Sequence, residues 1–198
     1  MDKHISRQFF NQGAAHWDDK ARIKNVKGMQ AMADRLEFSP SAQVLDIGTG
    51  TGVFVPFLQS KLDKTGSIIC LDFAYLMLEK AAAHHGNTRV GYVCAEIETM
   101  IFAPGRFDAI VCYSTFPHFH DKPLAVRNMF TFLKEGGRMY ICHTASREFI
   151  NNIHRGIPDF SDHLLPEKEK MTGLIDKAGF SRVEVSEEED AYLAVGFK

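Results

Sequence analysis

The amino-acid sequence predicts an α/β fold with a doubly wound, mostly parallel sheet. From Val44 onward, short apolar runs alternate with segments in which apolar residues recur at helical spacing. This alternation is typical of parallel strands that are covered by helices on both faces. A glycine-rich turn, GTGTG, directly follows the first apolar run. The 198 residues, of which 45% are hydrophobic, contain no internal repeat or low-complexity linker, so we expect one domain over residues 1–198.

The first 40 residues predict a helical cap that precedes a core at residues 41–198. Apolar side chains recur there at helical spacing as far as the segment FSPS, and they are Ile23, Val26, Met29, Ala33 and Leu36. Before them lies a polar arm, QFFNQGAAHWDDKA, which we expect to cover a ligand site from one side. Trp17 either packs on the ligand or ties this arm to the domain.

Strands and helices then alternate through the core. The predicted strands are QVLDI, SIICLDF, VGYVCAE, FDAIVCYS and RMYICHT, and the predicted helices are FVPFLQSKL, YLMLEKAAAHH and PLAVRNMFTFLK. Because proline is tolerated in the first turn of a helix, Pro56 places the start of the first core helix near Thr51. Gly136 and Gly137 are expected to close the helix that ends at residues 134–135 with a left-handed turn.

The last part of the chain follows a different pattern. Met171, Leu174, Ile175 and Ala178 predict a helix, and RVEVSEEEDAYLAVGFK reads as two strands around an acidic turn. We expect these strands to form an antiparallel hairpin at one edge of the sheet. Residues 143–166 form a longer segment than a usual connection, which favours an insert that serves as a wall or lid on the substrate side.

The charge balance excludes some classes of partner. A formal net charge of -2 gives no electrostatic reason to expect nucleic acid or an anionic membrane surface. The N-terminus has no apolar stretch of signal-peptide length, and no run approaches the roughly 18 apolar residues that a membrane span needs. We therefore expect a cytoplasmic protein that acts on a small, neutral or modestly charged molecule. The sequence leaves its oligomeric state open.

Four cysteines lie in the strand-like runs, and they are Cys70, Cys94, Cys112 and Cys142. No two are close enough to form a CxxC motif, so we interpret them as reduced, buried side chains that act as small hydrophobes. The alternative is a group of thiols at adjacent strand ends that binds a soft metalloid.

The spacing of the glycines in VLDIGTGTG discriminates between ligands. Gly48, Gly50 and Gly52 follow a GxGxG pattern, whereas the dinucleotide fingerprint GxGxxG needs glycine or alanine where Val53 stands. Asp46 would lie unfavourably close to a diphosphate, but it would attract a cation. S-adenosylmethionine meets this demand, since it carries an ammonium and a sulfonium group and no phosphate.

A second acidic residue, Asp72, ends the second predicted strand. A carboxylate there can accept both ribose hydroxyls, in NAD as well as in S-adenosylmethionine sites. The alternative is an N-cap for the helix that begins near Tyr75, and the two roles can coexist. Phe73 offers an apolar face for adenine, or it is a core aromatic.

Taken together, these motifs resemble the class I S-adenosylmethionine-dependent methyltransferases, nearest to the small-molecule group that includes the ubiquinone/menaquinone-type enzymes. VLDIGTGTG resembles the cofactor turn of this family, LDFAYLMLEKA its acid and following helix, AEIETMIFAPGRFDAIVC its adenine segment and fourth strand, and FLKEGGRMYI its entry into the fifth strand. The matching segments stand in the family's order over about residues 42–142. The resemblance implies a Rossmann-like, seven-stranded fold and S-adenosylmethionine as the cofactor.

The resemblance also implies roles for individual residues. The cofactor candidates are Asp46, Gly48, Thr49, Gly50, Gly52, Asp72, Phe73, Glu96, Ile97 and Ser114. The backbone of the glycine turn would pass the methionine part, Asp46 would anchor its amino group and Asp72 would hold the ribose. Glu96 stands where the family usually has aspartate, and together with the Ile97 N–H it would recognise adenine; alternatively, Glu96 is a solvated helix-cap acid.

Methyl transfer is an in-line displacement, for which the protein mainly aligns the acceptor and excludes water. A general base is needed only for acceptors with a high pKa. His118, at a position that is often histidine in the family, and His143, at the end of the fifth strand, are the candidate bases. Alternatively, both only shape the pocket. Arg147 is a candidate to clamp an acidic substrate group, or it pairs with a nearby carboxylate.

Several histidines invite a metal hypothesis, and they are His118, His120, His143, His154 and His163. Because they form neither an HExxH motif nor an obvious paired set, we expect no metal. The leading interpretation is methyl transfer from S-adenosylmethionine to a small molecule. The alternatives are a non-catalytic module that binds S-adenosylmethionine and, less favoured, an NAD-dependent oxidoreductase.

Overall fold

The computed structural model describes residues 3–19 and 25–198. Its helices are α1 (Lys3–Gly13), α2 (Val26–Asp34), α3 (Val55–Ser60), α4 (Tyr75–His85), α5 (Lys122–Phe132), α6 (Arg147–Arg155) and α7 (Lys168–Lys177). Its strands are β1 (Gln43–Ile47), β2 (Ser67–Asp72), β3 (Val90–Cys94), β4 (Phe107–Tyr113), β5 (Leu133–His143), β6 (Arg182–Glu187) and β7 (Tyr192–Phe197). Short 3₁₀ helices span Ala14–Asp19, Phe116–His118 and Pro158–Phe160.

The strands form one seven-stranded sheet in the order β3-β2-β1-β4-β5-β7-β6. The first five strands are parallel to their neighbours, whereas β7 pairs antiparallel with both β5 and β6. The predicted Rossmann-like sheet with an antiparallel C-terminal hairpin at one edge is therefore confirmed. The strand order reverses between β1 and β4, and in such sheets a ligand crevice opens at the carboxyl ends of these strands.

Helices cover both faces of the sheet, and the alternation of side chains along each strand divides the core into two layers. Leu45 and Ile47 pack with α5 and α7 on one face. Val44 packs with α2 and α3 on the other face. Asp46 alternates with these residues and so points toward the α2 and α3 layer, where it is 2% exposed. A carboxylate is rarely buried to this extent. The burial of Asp46 therefore indicates that the turn that follows has a functional role.

Two helix boundaries in the core differ from the sequence prediction. The first core helix begins at Val55 and not near Thr51, because Gly52 has a φ of +84°, which a right-handed helix excludes. The helix before β5 ends at Phe132 and not at residues 134–135, since Leu133 is already extended with a ψ of 142°. The left-handed turn at Gly136 is as predicted, with a φ of +76°.

Other differences concern exposure and the segments outside the core. Cys94 is exposed, whereas the other three cysteines are buried as predicted, because Cys94 ends the edge strand β3. The insert at residues 143–166 contains α6, a helix that the sequence analysis did not identify. In the cap, α2 ends before the predicted Leu36, which is nevertheless buried, and Ile23 lies outside the described residues. Within the described ranges, no helix combines the length and the apolar character that a membrane crossing requires.

Candidate active site

The glycine turn, residues 48–52, follows β1 and lies against the end of β2. Its first two N–H groups donate to the carbonyl oxygen of Leu71, at 2.7 and 3.2 Å. The third N–H, from Gly50, donates to Oδ2 of Asp72 at 2.8 Å. Because these donors are used within the protein, they are not available as the cradle that a diphosphate would require.

Gly48 also allows the loop after β4 to approach the turn closely. Its φ is +67°, and a Cβ atom at this position would lie 2.2 Å from Oγ1 of Thr115. Gly52 is similarly restricted, because a Cβ atom there would lie 2.7 Å from Cδ2 of His85. Gly50 also has a positive φ, of +58°, but no neighbouring atom lies within 4 Å of a Cβ placed there. The middle glycine therefore leaves open space above the turn, and the outer two fix its position.

Among the residues that the structure describes, one side chain forms a hydrogen bond with the carboxylate of Asp46 beneath the turn. The hydroxyl of Thr49 donates to Oδ2 of Asp46 at 2.8 Å. Burial raises the pKa of Asp46 from 3.8 to about 7, and the negative charge of Asp72 contributes in the same direction. A nearby cation stabilises the charge of a buried carboxylate that has few hydrogen-bond donors. Asp46 therefore has the property that is needed to anchor the amino group of S-adenosylmethionine, its predicted role.

Asp72 joins the ends of two loops. Its Oδ2 accepts from the N–H of Gly50, and its Oδ1 accepts from the N–H of Ala74 at 2.8 Å. Burial raises the pKa of Asp72 to about 6, although these hydrogen bonds oppose the shift. The residue at the N-cap of α4 is Ala74, so Asp72 supports the loop before this helix without being its N-cap.

A cleft with about 430 Å³ of empty space lies beside the turn. It is lined by Ile47, Gly48, Leu71, Asp72, Phe73, Ala95, Glu96, Ile97, Glu98, Thr115, His118, Phe119 and His120. The structure thus brings together six of the predicted site residues, which are Gly48, Asp72, Phe73, Glu96, Ile97 and His118. The remaining ones lie outside the lining of this cleft, and they are Asp46, Thr49, Gly50, Gly52, Ser114, His143 and Arg147. Thr115 and His120 line the cleft although the sequence analysis assigned them no role in cofactor binding or catalysis.

The N-terminal segment, residues 3–19, crosses one side of this cleft. Arg7 Nη2 lies 2.7 Å from Oε1 of Glu96, the predicted adenine-binding acid. The ring of Phe10 packs edge-on against Phe73, with ring centroids 5.7 Å apart. At the other end of the segment, Asp18 accepts a hydrogen bond from Oγ1 of Thr51 in the glycine turn at 2.5 Å. The sequence predicts that the arm covers the site but does not point to Arg7, which is 89 residues from its partner.

Trp17 packs within the N-terminal segment. Its ring centroid lies 5.4 Å from that of Phe10 and 6.4 Å from that of Phe9. Lys80 of α4 ties the same segment down, since its Nζ donates to the carbonyl oxygen of Ala14 and pairs with Asp18. Trp17 also packs against a buried cluster that includes Ala74 and Met77, which fits the interpretation that Trp17 holds the arm to the domain.

Three histidines meet at the end of the cleft, and we refer to His118, His154 and His163 as the histidine cluster. Nδ1 of His118 lies 3.2 Å from Nδ1 of His163, and the rings of His118 and His154 are 4.9 Å apart. Burial lowers the pKa of His118 well below its usual value, and the two other members of the cluster lower it further. Burial also lowers the pKa of His163 to about 4. The imidazoles of His118 and His163 are therefore neutral at pH 7.

The other candidate base and the candidate substrate arginine lie away from the cleft. His143 ends β5 and is buried against Tyr192, and burial lowers its pKa to about 3. Within the described parts of the chain, its Nε2 has no hydrogen-bond partner. Arg147 pairs with Glu187, with Nε 3.0 Å from Oε2, which is the alternative that the sequence analysis had left open. Residues 3–19 and 25–198 contain no group of three or more ligands with the geometry to hold a metal ion.

Replacing Gly50 by alanine is expected to separate ligand binding from folding. The added methyl group meets no protein atom, so only the positive φ opposes it, at roughly 1–2 kcal/mol of unfolding free energy. The methyl group would, however, project into the open space above the turn and lower the affinity for S-adenosylmethionine at least tenfold, as measured by calorimetry. Gly105→Ala is the matched control, since Gly105 has a φ of +64° and equally open surroundings but lies before β4 and not in the glycine turn. Equal affinities for the two variants would contradict a ligand above the turn.

Comparison with known proteins connects this geometry to a family. A family model described as a methyltransferase domain matches residues 44–137. The chain is similar to the ubiquinone/menaquinone biosynthesis C-methyltransferase UbiE of Klebsiella pneumoniae, with 30% identity over 142 residues that cover 70% of this chain and 55% of the relative. It is also similar to the biotin biosynthesis bifunctional protein BioHC of Cellvibrio japonicus, with 30% identity over 71% of this chain and 27% of the relative. The chain thus spans about half or less of the length of these two relatives.

Solved structures share the fold. A methyltransferase dependent on S-adenosyl-L-methionine from Methanococcus maripaludis has a TM-score of 0.75 and 23% identity, and the match covers 95% of this chain and 93% of that one. A chain from the complex between the Haloferax volcanii Trm112 methyltransferase activator and a methyltransferase has a TM-score of 0.78 and 18% identity, over 95% and 96% of the two chains. The matched family, the sheet order and the glycine turn agree: the chain belongs to the class I methyltransferases, whose cofactor is S-adenosylmethionine.

Proposed function

We propose that this protein transfers the methyl group of S-adenosylmethionine to a small-molecule acceptor, with His118 as the general base. The observation that carries the proposal is the composition of one cleft. Gly48 of the glycine turn and the predicted ribose and adenine residues Asp72 and Glu96 line it together with His118. A cofactor bound along these residues would therefore lie beside a neutral base.

The electrostatics of the turn favour S-adenosylmethionine over a dinucleotide. Asp46 and Asp72 place two buried carboxylates beside the turn, and both have raised pKa values because burial disfavours their charge. A sulfonium and an ammonium group would relieve this cost by Coulomb attraction, whereas a diphosphate would increase it. The N–H groups that a diphosphate would need already donate to Leu71 and Asp72.

A small acceptor agrees with the walls of the site. The N-terminal segment closes one side of the cleft through Arg7 and Phe10, and we assign residues 143–166 as the wall on the substrate side. The aromatic rings of Phe10 and Phe160 lie 5.1 and 5.3 Å from the ring of His118. Since Arg147 is paired with Glu187, it does not offer a free charge to an acidic acceptor, which favours an uncharged, planar compound with an ionisable O–H or N–H group. The net charge of -2 gives no support for a nucleic acid acceptor.

In the proposed reaction, the residues of the chain align the reactants and move one proton. The glycine turn and Asp72 would hold S-adenosylmethionine, which would supply an activated methyl group beside the histidine cluster. Nε2 of His118 takes the proton of the acceptor as the acceptor attacks the methyl carbon in line with the departing sulfur. Exclusion of water by the N-terminal segment and correct alignment account for most of the acceleration, and a positioned base contributes roughly 10²–10⁴-fold.

Calorimetry with S-adenosylmethionine, S-adenosylhomocysteine and NAD tests the cofactor. We expect binding of the first two and no binding of NAD, because the turn repels a diphosphate. Preferential binding of NAD would support an oxidoreductase and would overturn the proposal.

A transfer screen with methyl-labelled S-adenosylmethionine tests the reaction, with phenols, catechols and N–H heterocycles as acceptors. We expect transfer to at least one of these compounds and a roughly 10²-fold loss in His118→Asn. His143→Asn is the comparison variant, because His143 lies outside the cleft lining, and we expect it to retain most of the activity. Binding of the cofactor without transfer to any acceptor would instead favour a non-catalytic module.

A further inference from the structure

We propose that His163 is a positioning residue that fixes the proton of His118 on Nδ1 and thereby leaves Nε2 free to accept a proton in the cleft. The inference rests on the proposed role of His118 as the base. It adds a partner from the insert at residues 143–166, which then contributes to the base as well as to the wall of the site.

The geometry of the pair requires one shared proton. The two Nδ1 atoms lie 3.2 Å apart, which is a hydrogen-bond distance for N–H···N and too close for two N–H groups that face each other. One ring therefore donates and the other accepts, and each is neutral. If His118 is the donor, its Nε2 carries a lone pair, and His118 is the member of the pair that lines the cleft. This tautomer is the one that a base requires, and in the proposed arrangement His163 holds it by accepting from Nδ1 of His118.

His163 is itself held in place by the backbone around it. Its N–H donates to the carbonyl oxygen of Phe160 at 3.0 Å, and its carbonyl oxygen accepts from Nδ1 of His154 at 2.5 Å. Two residues further on, Leu165 exchanges two hydrogen bonds with the buried side chain of Asn151 in α6. The His163 ring therefore sits on a segment that is fixed on both sides, as a group that orients another residue must be.

Burial and the charges around the pair explain why a single proton is held there. Burial lowers the pKa of both His118 and His163. The pKa of His118 is lowered further by His154 of α6, His163, His143 of β5 and Lys122 of α5, and Asp162 acts on His163 in the opposite direction. Lys122 donates to the carbonyl oxygens of Pro117 and Phe119, so its charge is held close to the pair. A second proton on the pair is therefore unfavourable before methyl transfer.

The proposed step balances in atoms and charge. The acceptor atom forms a bond to the methyl carbon, the carbon–sulfur bond breaks, and its electron pair remains on sulfur as a neutral thioether. The proton of the acceptor moves to Nε2 of His118, which becomes an imidazolium whose Nδ1–H still donates to His163. One positive charge is lost from the sulfonium and one is gained by the imidazole pair, so the site keeps its net charge throughout the step.

The tautomer of His118 can be measured without cofactor or acceptor. Long-range ¹H–¹⁵N correlation spectra of protein labelled with ¹⁵N-histidine distinguish protonated from unprotonated ring nitrogens, and His118→Asn assigns the signals among the nine histidines. We expect His118 in one tautomer, with Nδ1 protonated and Nε2 unprotonated, at pH 7.5. Because this measurement needs no methyl transfer, it tests the hydrogen bond between His118 and His163 even if the proposed function is wrong.

Two substitutions of His163 complete the test. His163→Leu removes the acceptor and should release His118 into a mixture of tautomers, whereas His163→Asn keeps an oxygen near the position of Nδ1 and should restore the single tautomer. With an acceptor from the screen, we expect a roughly 10- to 100-fold lower kcat for His163→Leu at unchanged KM, and partial recovery for His163→Asn. His84→Asn, at an exposed histidine of α4, should change neither readout. An Nε2-protonated or mixed His118 in the unsubstituted protein would overturn the proposal, whether or not the variants fold.

Discussion

Gly48→Ala is expected to lower the free energy of unfolding by roughly 2–5 kcal/mol, the sum of backbone strain and overpacking. The φ of +67° disfavours any side chain, and the new Cβ would meet Oγ1, Cβ and Cγ2 of Thr115 at 2.2–2.4 Å. The loop after β4 would have to move away from the turn, so the cleft between them would widen. Urea denaturation followed by circular dichroism measures the loss.

Gly105→Ala is also the control for Gly48→Ala. Gly105 has almost the same φ, +64°, but no atom lies within 4 Å of its added Cβ. Its variant should lose only the roughly 1–2 kcal/mol of the backbone term. Equal losses in the two variants would show that Thr115 yields easily, and that the close approach does not hold the site together.

Asp46→Asn is expected to stabilise the cofactor-free protein and to weaken the binding of S-adenosylmethionine. Burial raises the pKa of Asp46 from 3.8 to about 7. Between these values the folded protein holds more protons than the unfolded chain, so the free energy of unfolding falls as the pH rises through this window. The uncharged amide removes this pH dependence and should add roughly 1–3 kcal/mol to the free energy of unfolding at pH 8.

The same substitution also removes the attraction for the ammonium and sulfonium groups. We expect a 10- to 100-fold loss of affinity for S-adenosylmethionine, or about 1.4–2.8 kcal/mol.

The pH dependence of binding gives an independent measurement of the same carboxylate. Since the cation favours the ionised form, the affinity for S-adenosylmethionine should fall below pH 7, by at most about tenfold per pH unit. Asp46→Asn should remove the part of this dependence that Asp46 contributes. Asp72→Asn is the contrasting variant, because Asp72 accepts from two backbone N–H groups and an amide can satisfy only one of them. It should destabilise the protein by roughly 1–3 kcal/mol. If Asp46→Asn and Asp72→Asn both destabilise the protein, the conclusion that the buried charge of Asp46 lowers the free energy of unfolding is wrong.

Local patterns predicted most of the fold. The strand that ends at Asp72, the glycine turn and the final hairpin all depend on residues that are close in sequence, and periodicity and turn chemistry report on such residues directly. The start of α3 was wrong by four residues, because proline is tolerated in a first turn but does not show where that turn lies. Ser146 does cap α6, by accepting from the N–H of Phe149, and this capping position was the signal that could have identified the helix.

The site was predicted less completely because several of its contacts join distant parts of the chain. Arg7 reaches Glu96 across 89 residues, and His118 meets His163 across 45. Neither pair forms a sequence motif. Arg7 lies in the N-terminal cap and His163 in the insert, and neither stands at a fixed spacing from the strand end that its partner follows. The exposure of Cys94 was missed for a related reason: the sequence of β3 is as apolar as that of a central strand, and only the strand order places it at the edge.

The position of β7 affects how the chain folds during its synthesis. β7 is synthesised after β6 but lies between β5 and β6, with which it pairs on either side. While the chain emerges from the ribosome, the outer edge of β5 stays without its partner until residues 192–197 are free, and β6 has nothing to pair with. An unpaired edge of this kind invites association with other chains. The interval before the sheet closes is therefore the stage of biosynthesis at which a chaperone would be most useful to this protein.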